Sequence, residues 1–153
     1  MFDRNQELPI GSDHGGFELK QNIIQTLSSK GFKFKDNGTY SDESVDYPDF
    51  IHPVAKSVND GLFNYGIIIC GSGQGASMTA NKYPNIRAAL CWDLEQASLT
   101  RLHNNANIIA LPGRFVDNST AIKMIELFLN TEFEGGRHLN RINKIPVYEK
   151  DNV

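Results

Sequence analysis

Only two cysteines occur in 153 residues, and they stand in no CxxC or comparable ligand spacing. That excludes a disulfide framework and a cysteine-based metal fold. No basic segment followed by an apolar core stands at the N-terminus, and no run approaches the roughly 20 apolar residues of a membrane span. A cytoplasmic protein with reduced thiols is the expectation. Positive charge is not in excess, since 15 Lys and Arg oppose 18 Asp and Glu for a formal net charge of −3. Such a balance excludes a field that would gather nucleic acid or an anionic membrane, yet leaves room for a local cluster that binds a phosphate. Internal repeats, low-complexity segments and dividing linkers are lacking too. The chain therefore reads as a single domain over residues 1–153, with a core at about 8–145 and a short C-terminal tail. A hydrophobic content of 40% is enough for a full core without metals or crosslinks.

What is present centres on Tyr65 to Lys82, YGIIICGSGQGASMTANK. The β-branched run Ile67 to Ile69 reads as a strand buried on both faces, ending on Cys70 and a glycine-rich turn. Glycines 71, 73 and 75 let the backbone bend sharply and bring bare N–H groups to a ligand, and a helix expected from Ala76 adds its positive end. This is an anion cradle. Oriented N–H dipoles favour the thiolate, so Cys70 at the rim can act as base or nucleophile.

Other strands are expected at Leu8 to Ile10, interrupted by Pro9, and at Phe32 to Lys35, Arg87 to Cys91 and Ile108 to Leu111. Leu19, Ile23, Ile24 and Leu27 recur at helical spacing, with Gly31 as the stop. Phe50 to Val58 marks a second helix in which Pro53 must occupy the first turn or introduce a kink. Further helices are expected from Asp93 to about Asn104, from Ser119 to Leu129, and from Arg137 to Ile145. Strands and helices that alternate throughout imply right-handed crossovers, hence an α/β fold: a three-layer α/β/α sandwich on a five-stranded parallel sheet. Ligands in such sheets lie beyond the carboxyl ends of the strands, where SDHGG, DNGTY, CGSGQG, WDLE and PGR all fall.

Several residues of those motifs can carry chemistry. Asp13 can accept sugar hydroxyls or cap a turn, and His14 can donate to an anion or move a proton. His103 stands at a helix end, where it can serve as a plain cap, and Asn104 and Asn107 can bind a polyol or shape a turn. Arg137 and Arg141 share a helix face and can fork around a phosphate, with Arg114 adding a third charge. Cys91 reads as core, and His52 and His138 are given no catalytic role. Gly71, Gly73 and Ala76, with Asp93 further on, also satisfy a dinucleotide-binding fingerprint. A cysteine before that motif, its place on the third strand and the lack of a second domain make this the weaker reading.

SDHGG, DYP, CGSGQG, ANK, RLHNNAN and EGGRHLNR together resemble the type B ribose-5-phosphate isomerases, in the family that includes galactose-6-phosphate and allose-6-phosphate isomerases. The resemblance runs from about Ile10 to Ile145. It implies a Rossmann-like fold, no cofactor and no metal, and sites at a homodimer interface, often within tetramers. It also implies an aldose-ketose isomerisation of ribose 5-phosphate to ribulose 5-phosphate in the non-oxidative pentose phosphate pathway, through a cis-enediolate. By resemblance Cys70 is the base, Ser72 assists the proton traffic and His103 opens the furanose ring. Gly71, Gly73 and Gly75 line the enediolate, Asp13 and Asn104 hold the sugar, and His14, Arg114, Arg137 and Arg141 hold the phosphate, some from the partner chain. Two departures stand out. The N-terminal MFDRNQEL is longer and more polar than the usual start, and Ala76 occupies a position where some members place a glutamate base. The histidine of HNNAN and the GGRHxxR ending favour the pentose over a galactose 6-phosphate, and leave an allose 6-phosphate side activity open.

Overall fold

The computed structural model describes residues 2–147. Five strands, β1 (Glu7–Ser12), β2 (Lys33–Asp36), β3 (Gly66–Cys70), β4 (Ala88–Leu90) and β5 (Ile108–Pro112), form one sheet in the order β2-β1-β3-β5-β4. Every pairing is parallel. Six α-helices and one 3-10 turn (His14–Gly16) complete the described chain: α1 (Phe17–Ser29), α2 (Tyr47–Asn59), α3 (Gln74–Ala80), α4 (Leu94–Asn104), α5 (Asn118–Asn130) and α6 (Arg137–Ile142).

Side chains alternate across each strand, so the central strands feed two cores. Ile67 and Ile69 join Leu8, Ile10, Ile109 and Leu111 under α1, α4 and α5. Ile68 and Cys70 join Ile108 and Ala110 under α2 and α3. The expected three-layer α/β/α architecture is therefore the observed one.

Element limits differ from expectation where local chemistry outweighs pattern. Strand β1 is longer than Leu8 to Ile10 and lies inside the sheet despite Pro9. Ile10 accepts the Asn37 N–H, and Ser12 exchanges bonds with Gly38 and Thr39, so even-numbered residues face β2. Pro9, which has no N–H, faces the other side, where pairing with β3 starts only at Ile10–Ile67. Pro53 sits in the second turn of α2, not the first. Both it and Asp49, whose carbonyl loses a donor, are exposed to water, which can serve that carbonyl. Helix α3 begins at Gln74, two residues before the expected start, because Gly73 adopts φ 73° and turns the chain into the helix at once. Helix α6 stops at Ile142, short of Ile145.

One charge is buried with the core. Lys20 of α1 is inaccessible, and its ammonium lies 2.5 Å from Asp36 Oδ1 at the end of β2. The same oxygen accepts the Gly38 N–H at 2.9 Å, so the ion pair also pins the DNGTY turn.

Replacing Ile69, in the central strand β3 and fully buried, by alanine is expected to cost about 2–5 kcal/mol. Urea denaturation monitored by circular dichroism measures it; a loss below half a kcal/mol, on the order of a surface change, would contradict this packing.

Candidate active site

Three loops leave the carboxyl ends of β1, β3 and β5 and lock together. Gly113 N–H donates to Cys70 O at 2.9 Å, and Arg114 N–H donates to Gly71 O at 3.0 Å. Asp13 N–H donates to Ile69 O at 3.3 Å, joining the first loop to the second. At Gly113 the backbones are so close that a Cβ would stand 2.7 Å from Gly15 O and 2.9 Å from Gly16 Cα. Gly73, the residue that caps α3 after the glycine turn, has no side chain to bond the first N–H groups of the helix.

Most of the expected residues meet at this upper edge. Cys70 is the last residue of β3 and buried. The Arg114 guanidinium lies over Gly71, its Nη1 3.3 Å from where a Cβ would project. His14 accepts the Val45 N–H at Nδ1 (3.2 Å), which fixes the ring and makes Nε2 the protonated nitrogen of the neutral form. Asp13 caps the short turn at His14–Gly16, accepting the Gly16 N–H at 3.1 Å with one oxygen. The capping reading and the sugar-contact reading are thus compatible, since the second carboxylate oxygen has its own lone pairs. Ser72 Oγ accepts the Gln74 N–H at 3.4 Å. A groove of about 930 Å³ runs past His14, Asp42, Gly113 and Arg114.

The structure does not bring His103, Asn104, Arg137 and Arg141 to that edge within one chain. Helix α4 leaves the end of β4 and descends antiparallel to it, so RLHNNAN arrives where β3, β4 and β5 begin. Gly66 N–H donates to Asn107 O, and Asn107 Oδ1 accepts the Arg87 N–H. The sheet height alone, four residue rises, separates the two edges by about 13 Å. Asn107 is therefore a structural tie, not a polyol ligand. Asn104 keeps its side chain at the surface, while its carbonyl accepts Arg87 Nε at 3.1 Å.

Arg101 organises this lower edge. Its buried guanidinium donates to Thr131 O, Asn105 Oδ1, Ala106 O and Tyr65 Oη, and stacks over Tyr65 and Phe128. Burial holds its pKa below the usual arginine value, as it does for Arg87 nearby, where Arg101 adds repulsion. Arg137 and Arg141 are exposed on α6, and no carboxylate pairs with either among the described residues. His103 is partly exposed and its ring stacks on that of His138. Glu134, bound through its N–H to Leu102 O at 3.1 Å, stands beside both imidazoles.

Tyr47 and Glu134 escaped sequence reasoning, and His138, read there without a catalytic role, is buried. Tyr47 lays its ring over Gly75, 2.6 Å from where a Cβ would project; the DYP motif was its only signal. Glu134 and His138 are four apart, a spacing that puts both on one helix face, but α6 begins only at Arg137, so nothing marked them as a pair. Cys91 is core as expected: burial, with Asp93 adding to it, pushes its thiol up to about 12. Asp93 itself caps α4 by accepting the Gln96 N–H at 2.8 Å, which removes it from the role that a dinucleotide fingerprint would give it.

The sequence profile of the Ribose/Galactose Isomerase family matches residues 8–145. The chain belongs to that family. A crystal structure of a ribose 5-phosphate isomerase from Thermotoga maritima is 48% identical and superposes with a TM-score of 0.88, covering 90% of this chain and 95% of that one. Ribose-5-phosphate isomerase B from Mycoplasma genitalium with bound ribulose-5-phosphate is 45% identical with a TM-score of 0.86, covering 91% and 93%. Ribose-5-phosphate isomerase B of Escherichia coli is 39% identical over 145 residues, 95% of this chain and 97% of that protein. Within the ribose/galactose isomerase family, then, this chain carries its motif residues in two groups at opposite sheet edges.

Substituting Gly113 by alanine forces two backbones apart and is expected to cost about 1–3 kcal/mol; denaturant titration reads the loss, and a neutral variant would show that the loops are not in contact. His138 offers a pH signature. Burial first, then His103 and Arg137, hold its imidazole below the ordinary 6.5, with Glu134 opposing. The unfolded chain therefore binds a proton that the folded chain refuses, and stability falls as pH drops from 6.5 through the lower folded value. Imidazole titration by NMR should place His138 below 6.5, and His138→Gln should remove that part of the acid slope.

Proposed function

We propose that the protein interconverts ribose 5-phosphate and ribulose 5-phosphate, with Cys70 as the base. The observation that carries this reading is the placement of a thiol at the rim of a glycine turn whose backbone is tied to the Arg114 loop by two hydrogen bonds. Open-chain ribose 5-phosphate lies with C1 and C2 over this turn. The Cys70 thiolate takes the C2 proton, the electron pair forms the C1–C2 double bond of a cis-enediolate, and the thiol returns the proton to C1. Ser72 assists proton transfer between O1 and O2. N–H groups between Gly71 and Gly75 stabilise the enediolate oxygen, each such donor typically contributing about 3 kcal/mol.

The substrate also needs its ring opened and its phosphate held, and these tasks fall to both edges. His14 and Arg114 stand at the same sheet edge as Cys70, whereas His103, Asn104, Arg137 and Arg141 stand a sheet height away. A second copy of the chain, docked so that its lower edge meets this upper edge, completes the constellation in the manner of a two-fold dimer. In that arrangement His103 of one copy opens the ring over Cys70 of the other, and Asp13 and Asn104 bind the sugar hydroxyls.

Cys70→Ala should lower turnover by about 10²–10⁴-fold in buffer with EDTA while leaving the circular dichroism spectrum intact. Full turnover by the variant would mean that another group is the base. Mixing Cys70→Ala with His103→Ala under subunit exchange tests the shared site. Random pairing gives half heterodimers, each with one intact site, so about a quarter of wild-type activity should return. If each site lay within one chain, none would.

A further inference from the structure

Nε2 of His138 is a buried atom with no hydrogen-bond partner. The residue is 4% exposed, and its ring lies face to face with that of His103, centroids 4.3 Å apart and planes at 12°. Both Nε2 atoms lie 3.9 Å from the same oxygen, Glu134 Oε2. One donor atom from each of the three residues falls within 4.8 Å of the other two. At these separations no pair is a hydrogen bond. The fold has gathered two imidazole nitrogens and a carboxylate around one point without satisfying them.

We infer that His103 Nε2, Glu134 Oε2 and His138 Nε2 form a site for one divalent first-row transition cation, zinc foremost, and that filling it inhibits the enzyme. Two imidazoles and a carboxylate are donors that such cations accept, with bonds of about 2.0–2.2 Å. A tetrahedral ion with these bonds sets its ligands about 3.4 Å apart. Torsions of His103 and Glu134 close the observed gaps of 3.9 Å, the His103 ring turning off its stack so that its in-plane lone pair converges with that of the fixed His138. Calcium and magnesium prefer all-oxygen sets and do not compete. Arg137 and Arg141 stand close enough to His138 to act on its charge. Those same two arginines repel a cation, which makes the site weaker than one without them and suits reversible occupancy.

Inhibition rests on the proposed role of His103 in ring opening. A metal bonded to Nε2 takes the lone pair that would carry the proton to or from the ring oxygen. Occupancy and ring opening are then mutually exclusive. The cation is an inhibitor and takes no part in the isomerisation.

Cobalt(II) is the probe, because its visible absorption reports coordination independently of turnover. Added to chelator-stripped wild-type protein, it should give bands that saturate at one ion per chain, are lost in both Glu134→Gln and His138→Gln with circular dichroism retained, and persist in Cys70→Ala. No saturable band, or a band that survives both substitutions, would overturn the site. Zinc should then lower ribose 5-phosphate turnover by at least about tenfold, EDTA should restore it, and turnover of Glu134→Gln should be insensitive to the same zinc. A cobalt band with zinc-insensitive turnover would overturn the inhibition. A cobalt band in a protein that never turns over ribose 5-phosphate would refute the proposed function and leave the cation site standing.

Discussion

The two hydrogen bonds from Gly113 and Arg114 to the carbonyls of Cys70 and Gly71 are the constraint on which the upper edge depends. They continue the β3–β5 pairing beyond the strands into the loops, so the thiol and the guanidinium inherit the rigidity of a sheet buried on both faces. The close approach at Gly113 then seats the first loop against the other two. A site on loops alone would leave its groups to independent motions; here the loops are the last rungs of the ladder.

A second constraint works at the carboxyl end of the edge strand β2. Lys20 is buried with its charge, which is tolerated because Asp36 faces it and also receives the Gly38 N–H. One ion pair thereby couples α1, the end of β2 and the turn that runs on toward Val45. Val45 in turn fixes His14. The orientation of an imidazole in the groove is thus traceable to a lysine that never reaches it.

Much of this could be read from residue order. The run Ile67 to Ile69, the glycines after it and the alternation of strands and helices determined the layers, the sheet edge and the residues around Cys70. Pro9 misled because its cost depends on which neighbour its nitrogen faces, a matter of register that no single strand discloses. The pairing of Glu134 with His138 was missed because its importance lies in where α4 ends, a contact between segments far apart in sequence. The division of the motifs between two edges was legible in principle, since a helix that follows a strand must run back down the sheet. Placing RLHNNAN at the end of such a helix already put it opposite the glycine turn.

The hydrogen-bond partners of Arg101 among the described residues are all neutral oxygens. Its charge is satisfied locally but not cancelled. With Arg87 beside it and Arg137 and Arg141 on the adjoining helix, four guanidinium groups crowd one rim of a molecule whose formal net charge is −3. An anion approaching that rim by diffusion meets concentrated positive charge, and its rate of approach there should slow as dissolved salt is added.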